Sequence, residues 1–415
     1  MKTVAQARFH AAEKFIASRE FFGMKLGLEN ITEYAAALGN PQLNYPSVHI
    51  AGTNGKGSTV VTVGAILRQA GYKTGIFTSP HLVDFRERIR VDGQKIEKRF
   101  VSAFVERQRN EIRRRRITYF EVMVALAASY FASRKVDIAI FETGLGGRLD
   151  ATNILDPLVC GISEISFDHT SILGATLPKI AREKGGIFKQ GISAALGVMP
   201  QRARQTLQRI AHSRAVPLLK LVTCQAALKL SASMRLPGAC QIDNLRLALT
   251  IIKQLRRAGY TIPDSAVQRG LCAVRWPGRF QILRGVNGST IILDVAHNES
   301  SIRAAVQTFR ERYPGRRAVI VVGLVKNKSH KNALALLEKI AQEFVVTRLQ
   351  TRRTLEPEEL ASCLTDFDGP VTIVRSPRRA AARALAGLGH EEMALIIGSH
   401  YLVGDFLKNR SSLLP

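Results

Sequence analysis

The chain has little that would tie it to an oxidising or membrane setting. Only five of its 415 residues are cysteine, Cys160, Cys224, Cys240, Cys272 and Cys363. They lie far apart with no CxxC pair, which fits reduced thiols and excludes a disulfide frame or a zinc site. No apolar run approaches the roughly 18 residues that cross a bilayer, and the opening MKTVAQARFHAAEKF has no apolar core of signal length. A cytoplasmic protein without membrane contact is expected. Acidic residues are also scarce, 33 against 60 Lys and Arg, for a net charge of +27. Such an excess fits a nucleic-acid partner, an acidic small-molecule substrate, or only a basic proteome. The basic residues are spread along the chain. Their one short run, Arg113–Arg116, ends a predicted helix over Lys98–Arg116 and reads as a solvated face. Helix-turn-helix, zinc-finger and RNP-type signatures are absent, so nucleic-acid binding as the main task is disfavoured. The remaining composition, 46% hydrophobic and 22% charged, is that of a globular chain long enough for two or three domains.

What is present is a phosphate loop. Residues Ile50–Thr59 read IAGTNGKGST and follow the apolar Val48-His49-Ile50. A strand runs into a glycine-rich turn that opens a helix, continued by VVTVGAILRQA (Val60–Ala70) and closed by Gly71. Such a turn aims backbone N–H groups and a helix N-terminus at one point, and its natural ligand is a polyphosphate. Lys56 would meet the outer phosphates, with Ser58 or Thr59 near a magnesium ion. The match to G-x-x-x-x-G-K-[ST] is imperfect. Ile50 stands where the first glycine belongs, and Gly57 stands directly after Lys56.

Apolar strand candidates alternate with helical patterns. Strands are expected at Ser47–Ala51, Lys73–Thr78, Ile138–Glu142, Leu158–Ile162, Ala194–Gly197 and Leu218–Leu221. Helices are expected at Ser58–Ala70, Phe120–Ser133, Thr176–Lys184 and Arg202–His212. This rhythm predicts an α/β fold with a mainly parallel sheet, whose ligands lie at the carboxyl ends of its strands. Pro and Gly break the pattern around Arg275–Asn287. A second series follows, with Ile291–Val295, Ala318–Val322, Glu343–Thr347, Val371–Val374 and Leu395–Ile397. The expected organisation is a P-loop domain over 1–284 and a smaller Rossmann-like α/β domain over 285–415, with a cleft between them.

Several strand ends carry chemistry. Glu142 ends a strand beside the P-loop, where a carboxylate is a natural magnesium ligand, although a capping role fits too. The loop after it, Thr143–Asn153, holds Asp150. Its glycines do not make a dinucleotide fingerprint, because Leu149 takes the place of the third. His169, in Asp168-His169-Thr170, could join a metal cluster, but magnesium prefers oxygen. Spacing leaves that open. Lys184 precedes Gly185-Gly186 and reads as an ordinary helix end. In the second series Asp294 could bind ribose hydroxyls and His297 a phosphate, while Asn298 could cap a helix. Arg279, in the linker, could clamp a phosphate across the cleft.

Taken together, these segments resemble one family. GTNGKGS (Gly52–Ser58), TSPHL (Thr78–Leu82), ERI (Glu87–Ile89), TYFE (Thr118–Glu121), ETGLGGRLDATN (Glu142–Asn153), DHTSILG (Asp168–Gly174), EKGGI (Glu183–Ile187), PGRF (Pro277–Phe280) and DVAHN (Asp294–Asn298) occur in family order, preceded by FFGMKLGLENI (Phe21–Ile31). The whole is similar to the folylpolyglutamate synthase/dihydrofolate synthase family of the Mur-ligase superfamily, whose own P-loop variant explains the departure above. The resemblance implies an ATP-dependent amide ligase of folate biosynthesis, working as a monomer. It would join L-glutamate to dihydropteroate, to folates, or to both.

By the same resemblance Thr53, Asn54, Gly55, Lys56, Gly57 and Ser58 hold ATP phosphates, with Asn244, Arg279 and Asp294 as further ATP contacts. Ser79, Glu142 and His169 would be ligands of Mg²⁺, at two sites. Lys184 matches a lysine that is carbamylated in the family, its carbamate standing in for a carboxylate near the second metal. Thr118, Tyr119, Phe120, Glu121, Leu149, Asp150 and Ala151 would form the pterin site. Lys56, Lys184, His169 and His297 are the catalytic candidates. Two departures stand out. Gly185 replaces the usual Ala, and Gly323–Lys328 lacks the acidic residue of relatives, which bears on how glutamate is held. A cell-wall ligase acting on a UDP-sugar peptide is the nearest rival, disfavoured by TYFE and GLGGRLDATN. A basic ATP-binding module for RNA is the rival from another class.

Overall fold

A computed structural model describes residues 2–22, 27–285, 287–326 and 330–414. Part of the segment Phe21–Ile31, and Asn327 and Lys328 of the altered Gly323–Lys328 stretch, lie outside the described residues. Two sheets organise the chain. The first holds β1 (Ser47–Ala51), β2 (Thr74–Phe77), β3 (Ile89–Val91), β4 (Gln94–Lys95), β5 (Ile138–Glu142), β6 (Val159–Ile162), β7 (Ala194–Leu196) and β8 (Leu218–Leu219). Their order is β4-β3-β2-β5-β1-β6-β7-β8. The second holds β9 (Gln281–Arg284), β10 (Thr290–Asp294), β11 (Ala318–Val322), β12 (Ala341–Val346), β13 (Val371–Ile373) and β14 (Met393–Ile397), in the order β13-β12-β11-β14-β10-β9. This is the α/β architecture the alternating pattern implies.

Strands β1, β5 and β6 are buried along their whole length, because helices cover both faces of a parallel sheet. Ile50 pairs with Glu142 and Ala51 with Ile162, so β1, β5 and β6 end level with one another. The P-loop, Thr143 and Ser163 therefore emerge side by side. Phe77 pairs with Phe141, which brings the segment after β2, with Ser79, next to Glu142. Register alone gathers four candidate segments at one edge of the sheet.

Three features depart from the sequence reading. The P-loop helix begins at Lys56 instead of Ser58. Strand β9, on the first-domain side of the expected 284/285 boundary, runs antiparallel to β10 and belongs to the second sheet. The run Arg113–Arg116 is largely the solvated face expected, with Arg113, Arg114 and Arg116 exposed, but the helix is shorter than expected. It ends at Arg114, and Arg115 pairs with Glu111 at 2.5 Å and with Glu33 of a neighbouring helix at 2.6 Å. Among the described residues, no helix is long and apolar enough to cross a membrane.

The first domain's core on the β2–β5 side is aromatic. Phe131 is fully buried, edge-on to Phe141 with ring centroids 5.6 Å apart and edge-on to Tyr45 at 6.0 Å. Replacing Phe131 by Ala would leave a void that close-packed neighbours fill only in part. A loss of about 3–5 kcal/mol is expected, read as a lower denaturant midpoint at unchanged slope, with Phe131→Leu much milder.

Candidate active site

The loop Gly52–Gly55 turns sharply between β1 and the helix Lys56–Gln69. Gly52 and Gly55 have φ of +149° and +86°, conformations in which a side chain is strained. A Cβ at Gly52 would fall 1.8 Å from Ser163 Oγ, and one at Gly55 2.0 Å from Asn244 Oδ1. The loop is also tied to the exit of β6. Thr53 N–H donates to Glu164 O at 2.7 Å, Ser163 Oγ–H to Asn54 O at 2.7 Å, and Asn54 Nδ2 to Glu164 Oε2 at 2.8 Å.

This loop floors a cavity of about 590 Å³ to which both domains contribute. Thr53, Asn54, Gly55, Lys56, Gly57, Ser58, Ser79, Glu142, His169, Lys184, Asn244, Arg279, Asp294 and His297 all line it. Lys56 Nζ donates to Thr53 O at 3.1 Å and lies 3.9 Å from Glu142 Oε1. Glu142 Oε2 accepts the N–H of Ser79 at 3.0 Å. Burial pushes the Glu142 carboxyl up, against the pull of Lys56 and the Ser79 N–H. A nearly sealed carboxylate of this kind calls for a cation beside it.

Lys184 is buried, and its Nζ donates to Gly52 O at 2.6 Å. Burial, and then the charge of Lys56, lower its amine to about 7, with Asp168 and Asp150 opposing. The helix Leu177–Gly185 thus ends inside the phosphate site, where local sequence had read only a helix end. His169 is exposed, with φ of +50°, at the start of the short helix Thr170–Leu173. Among the described residues, no three His, Cys, Asp or Glu side chains converge as a ready metal cage.

The second domain closes the cavity through the turn after β10. Asn298 caps the helix Glu299–Arg312, accepting Ser301 N–H at 2.9 Å. Its Nδ2 donates to Asn54 Oδ1 at 3.1 Å and to Asp168 Oδ2 at 3.0 Å, across the domain boundary. Ser300 Oγ–H bonds Glu164. His297 donates from Nδ1 to Val295 O at 2.8 Å and holds Nε2 3.4 Å from Asp168 Oδ2. Asp294 accepts from Phe280 and Ala296 N–H groups at 2.8 and 2.7 Å. Burial raises its carboxyl, with Arg279 opposing.

The residues matched to a pterin site do not line this cavity; they stand behind it. Thr118 and Glu121 cap the helix Tyr119–Arg134 reciprocally, and Asn30 Nδ2 donates to both Glu121 oxygens at 3.2 Å. Phe120 packs on Gly144, where a Cβ would meet its ring at 2.4 Å, and Gly144 does line the cavity. Asp150 is spent on its own loop, accepting from Gly144, Leu145 and Thr152 N–H groups at 2.8–3.0 Å. Leu149 is half-buried and Ala151 buried. Tyr119 lies under the guanidinium of Arg88, 5.3 Å from its ring centre. The sequence reading did not single out Glu164, Ser300 or His400, all of which line the cavity. Glu164, two residues beyond the end of β6, was the one accessible to the strand-end rule.

Comparison with known proteins identifies the family. Residues 278–400 match the Mur ligase, glutamate ligase domain. The chain is 33% identical to the dihydrofolate synthase/folylpolyglutamate synthase of Bacillus subtilis, over 96% of this chain and 98% of that one. It is 33% identical to the Escherichia coli protein of the same name, over 92% and 91%. Its fold is similar to E. coli FolC in complex with DHPP and ADP, with a TM-score of 0.83, 28% identity and coverage of 97% and 98%. It is also similar to a bifunctional folylpolyglutamate synthase/dihydrofolate synthase with Mn, AMPPNP and L-glutamate bound, with a TM-score of 0.82, 29% identity and coverage of 96% and 98%. The chain belongs to the folylpolyglutamate synthase/dihydrofolate synthase family of ligases, which form carbon–nitrogen bonds.

Proposed function

We propose that this chain is an ATP-dependent amide ligase that adds L-glutamate to dihydropteroate, to the γ-carboxyl of folates, or to both. The observation that carries the reading is one cavity lined by the P-loop, Glu142 and Lys184 of the first domain and by Asp294 and His297 of the second. A free carboxylate is a poor acyl donor. Attack of the substrate carboxylate on the γ-phosphate of ATP forms an acyl phosphate and releases ADP. The amine of glutamate then displaces phosphate and leaves an amide. Lys56 and the P-loop N–H groups hold the phosphates, with Asn244, Arg279 and Asp294 completing the nucleotide site. The protein's task is alignment and neutralisation of charge on the transferring group. Closure of the two domains excludes water from the acyl phosphate.

Glu142, Ser79 and His169 would hold a magnesium ion, which supplies charge neutralisation on the phosphates. A second ion would sit by Lys184 as its carbamate. A carbamate needs a neutral amine to take up carbon dioxide, and an amine brought to about 7 supplies one near neutral pH. Thr118, Tyr119, Phe120, Glu121, Leu149, Asp150 and Ala151 would shape the pterin end, one layer behind the phosphates.

Four outcomes are expected. Purified protein with ATP, Mg²⁺ and glutamate should release ADP when dihydropteroate or tetrahydrofolate is supplied; silence with both refutes the reading. Glu142→Ala should raise the Mg²⁺ concentration for half-maximal rate by roughly 10–100-fold. Lys184→Ala should nearly abolish turnover and be rescued in part by added short carboxylates. In the unmodified protein, a carbamate signal from ¹³C-bicarbonate should grow as pH rises through about 7 and fade below it, because protonation removes the nucleophilic amine. A signal that is absent at every pH refutes the carbamate.

A further inference from the structure

We infer that His400 positions Arg279 over the phosphate cavity, as a neutral acceptor lent by the second domain to a guanidinium on the linker. The inference rests on the reading that Arg279 meets the phosphates of ATP.

The backbone at Arg279 is rigidly placed. Gly278 and Phe280 both adopt left-handed conformations, with φ of +73° and +43°. Gly278 O accepts Val295 N–H at 2.9 Å, its own N–H donates to Gln281 Oε1 at 3.0 Å, and Phe280 N–H donates to Asp294 Oδ2 at 2.8 Å. The turn is thereby nailed to the end of β10. The side chain has no comparable anchor. Asp294 and Glu142 act on it through their charge, yet among the described residues no carboxylate oxygen lies within 4.0 Å of it. Its one hydrogen-bond partner there is His400 Nε2, 3.5 Å from Nη2.

A guanidinium only donates, so Nε2 must carry a bare lone pair and the ring proton must sit on Nδ1. The surroundings enforce a neutral ring. His400 opens the helix His400–Lys408, whose first turn is capped by Ser399, and a helix N-terminus disfavours added positive charge. Burial holds the imidazole far below its ordinary range, and Arg279, His297, Arg88 and Lys56 push the same way. The ring of His297 is 5.8 Å away. A cationic residue here would repel Arg279, and an apolar one would leave its five donors unguided. A neutral imidazole can hold the guanidinium among other cations until an anion arrives. His400 is a positioning residue in this scheme and touches no reacting atom.

The test is a double-mutant cycle on the full chain with His400→Leu, Arg279→Ala, the pair, and His400→Gln. Two readouts are taken: glutamate-dependent ADP release, and ATP–Mg²⁺ titration by the fluorescence of Trp276. This sole tryptophan packs so closely on Gly57 that a Cβ there would lie 3.0 Å from its ring. His400→Leu should lower kcat/KM for ATP on the order of ten-fold, as loss of a charged hydrogen bond does, and leave KM for glutamate within about two-fold. Arg279→Ala should cost at least as much, and the pair no more than Arg279→Ala alone. His400→Gln, whose carbonyl can still accept, should recover most of the loss and settles the matter should Leu disturb the helix. Effects of His400→Leu and Arg279→Ala that multiply, or a His400→Gln variant as weak in ATP binding as Arg279→Ala, overturn the inference. An Arg279→Ala variant with unchanged ATP kinetics removes the reading of Arg279 itself.

Discussion

The loop between Gly52 and Gly57 must be approached from three sides at once, and the rest of the site depends on that. Ser163 and Asn244 occupy the places where side chains of Gly52 and Gly55 would lie, and Trp276 presses on Gly57. These neighbours come from the exit of β6, the helix Ala239–Arg257 and the interdomain linker. The bare backbone therefore does two things. It offers N–H groups to a phosphate, and it lets distant segments close to contact distance. A methyl at either of the first two glycines would push away a wall of the cavity, besides demanding an unfavourable φ.

A second constraint is charge. Lys56, Lys184 and Arg279 line one cavity with Glu142 and Asp294. Burial disfavours the charged forms of Lys184, Arg279, Glu142 and Asp294, and it shows in the lowered amine and guanidinium and in the two raised carboxyls. Such an arrangement is held together by the fold and completed by what it binds. A polyphosphate with a divalent cation supplies charge of both signs to groups that lack full partners. Arg114 and Arg115, by contrast, find Glu111 and Glu33 on the surface. Their contribution to the net charge of +27 has nothing to do with the cavity.

Much of this was legible in sequence. β6, β11 and β14 appear as unbroken apolar runs and β5 as one up to Glu142, while β1, β10 and β12 keep an apolar core interrupted by His49, flanked by Thr290 and Asp294, or preceded by Gln342-Glu343. The short antiparallel strands did not announce themselves. Residues Ile89–Val91 and Gln94–Lys95 are too few to show a period, and β9 is distinguished only by its pairing with β10. Site residues divided along similar lines. Glu142 ends a strand, so a local rule found it. Lys184 ends a helix in every local respect; the family resemblance singled it out, and its hydrogen bond to Gly52 O places it beside the glycine-rich loop. Asp150 and Glu121 carry the opposite lesson. Asp150 accepts from N–H groups of its own loop and Glu121 from Thr118 and Asn30, uses that spacing does not separate from ligand binding. His400 has no motif at all; its meaning lies in a contact 121 residues away in sequence.

Asn298 explains why the two domains act as one site. Its amide makes four bonds. It caps its own helix through Ser301 N–H, exchanges hydrogen bonds with Asn54 in the P-loop, and donates to Asp168. That is the full capacity of a carboxamide. Glu164 takes Asn54 on one oxygen and Ser300 on the other, so a first-domain carboxylate bridges the P-loop and the second domain. A helix cap, a phosphate loop and an interdomain contact therefore share atoms. Separating the domains would strip Asn54 of its partners on one side and leave Asp168 without its amide donor. Closing the cavity and preparing the phosphate site become two views of the same set of hydrogen bonds, and neither sheet could complete that set alone.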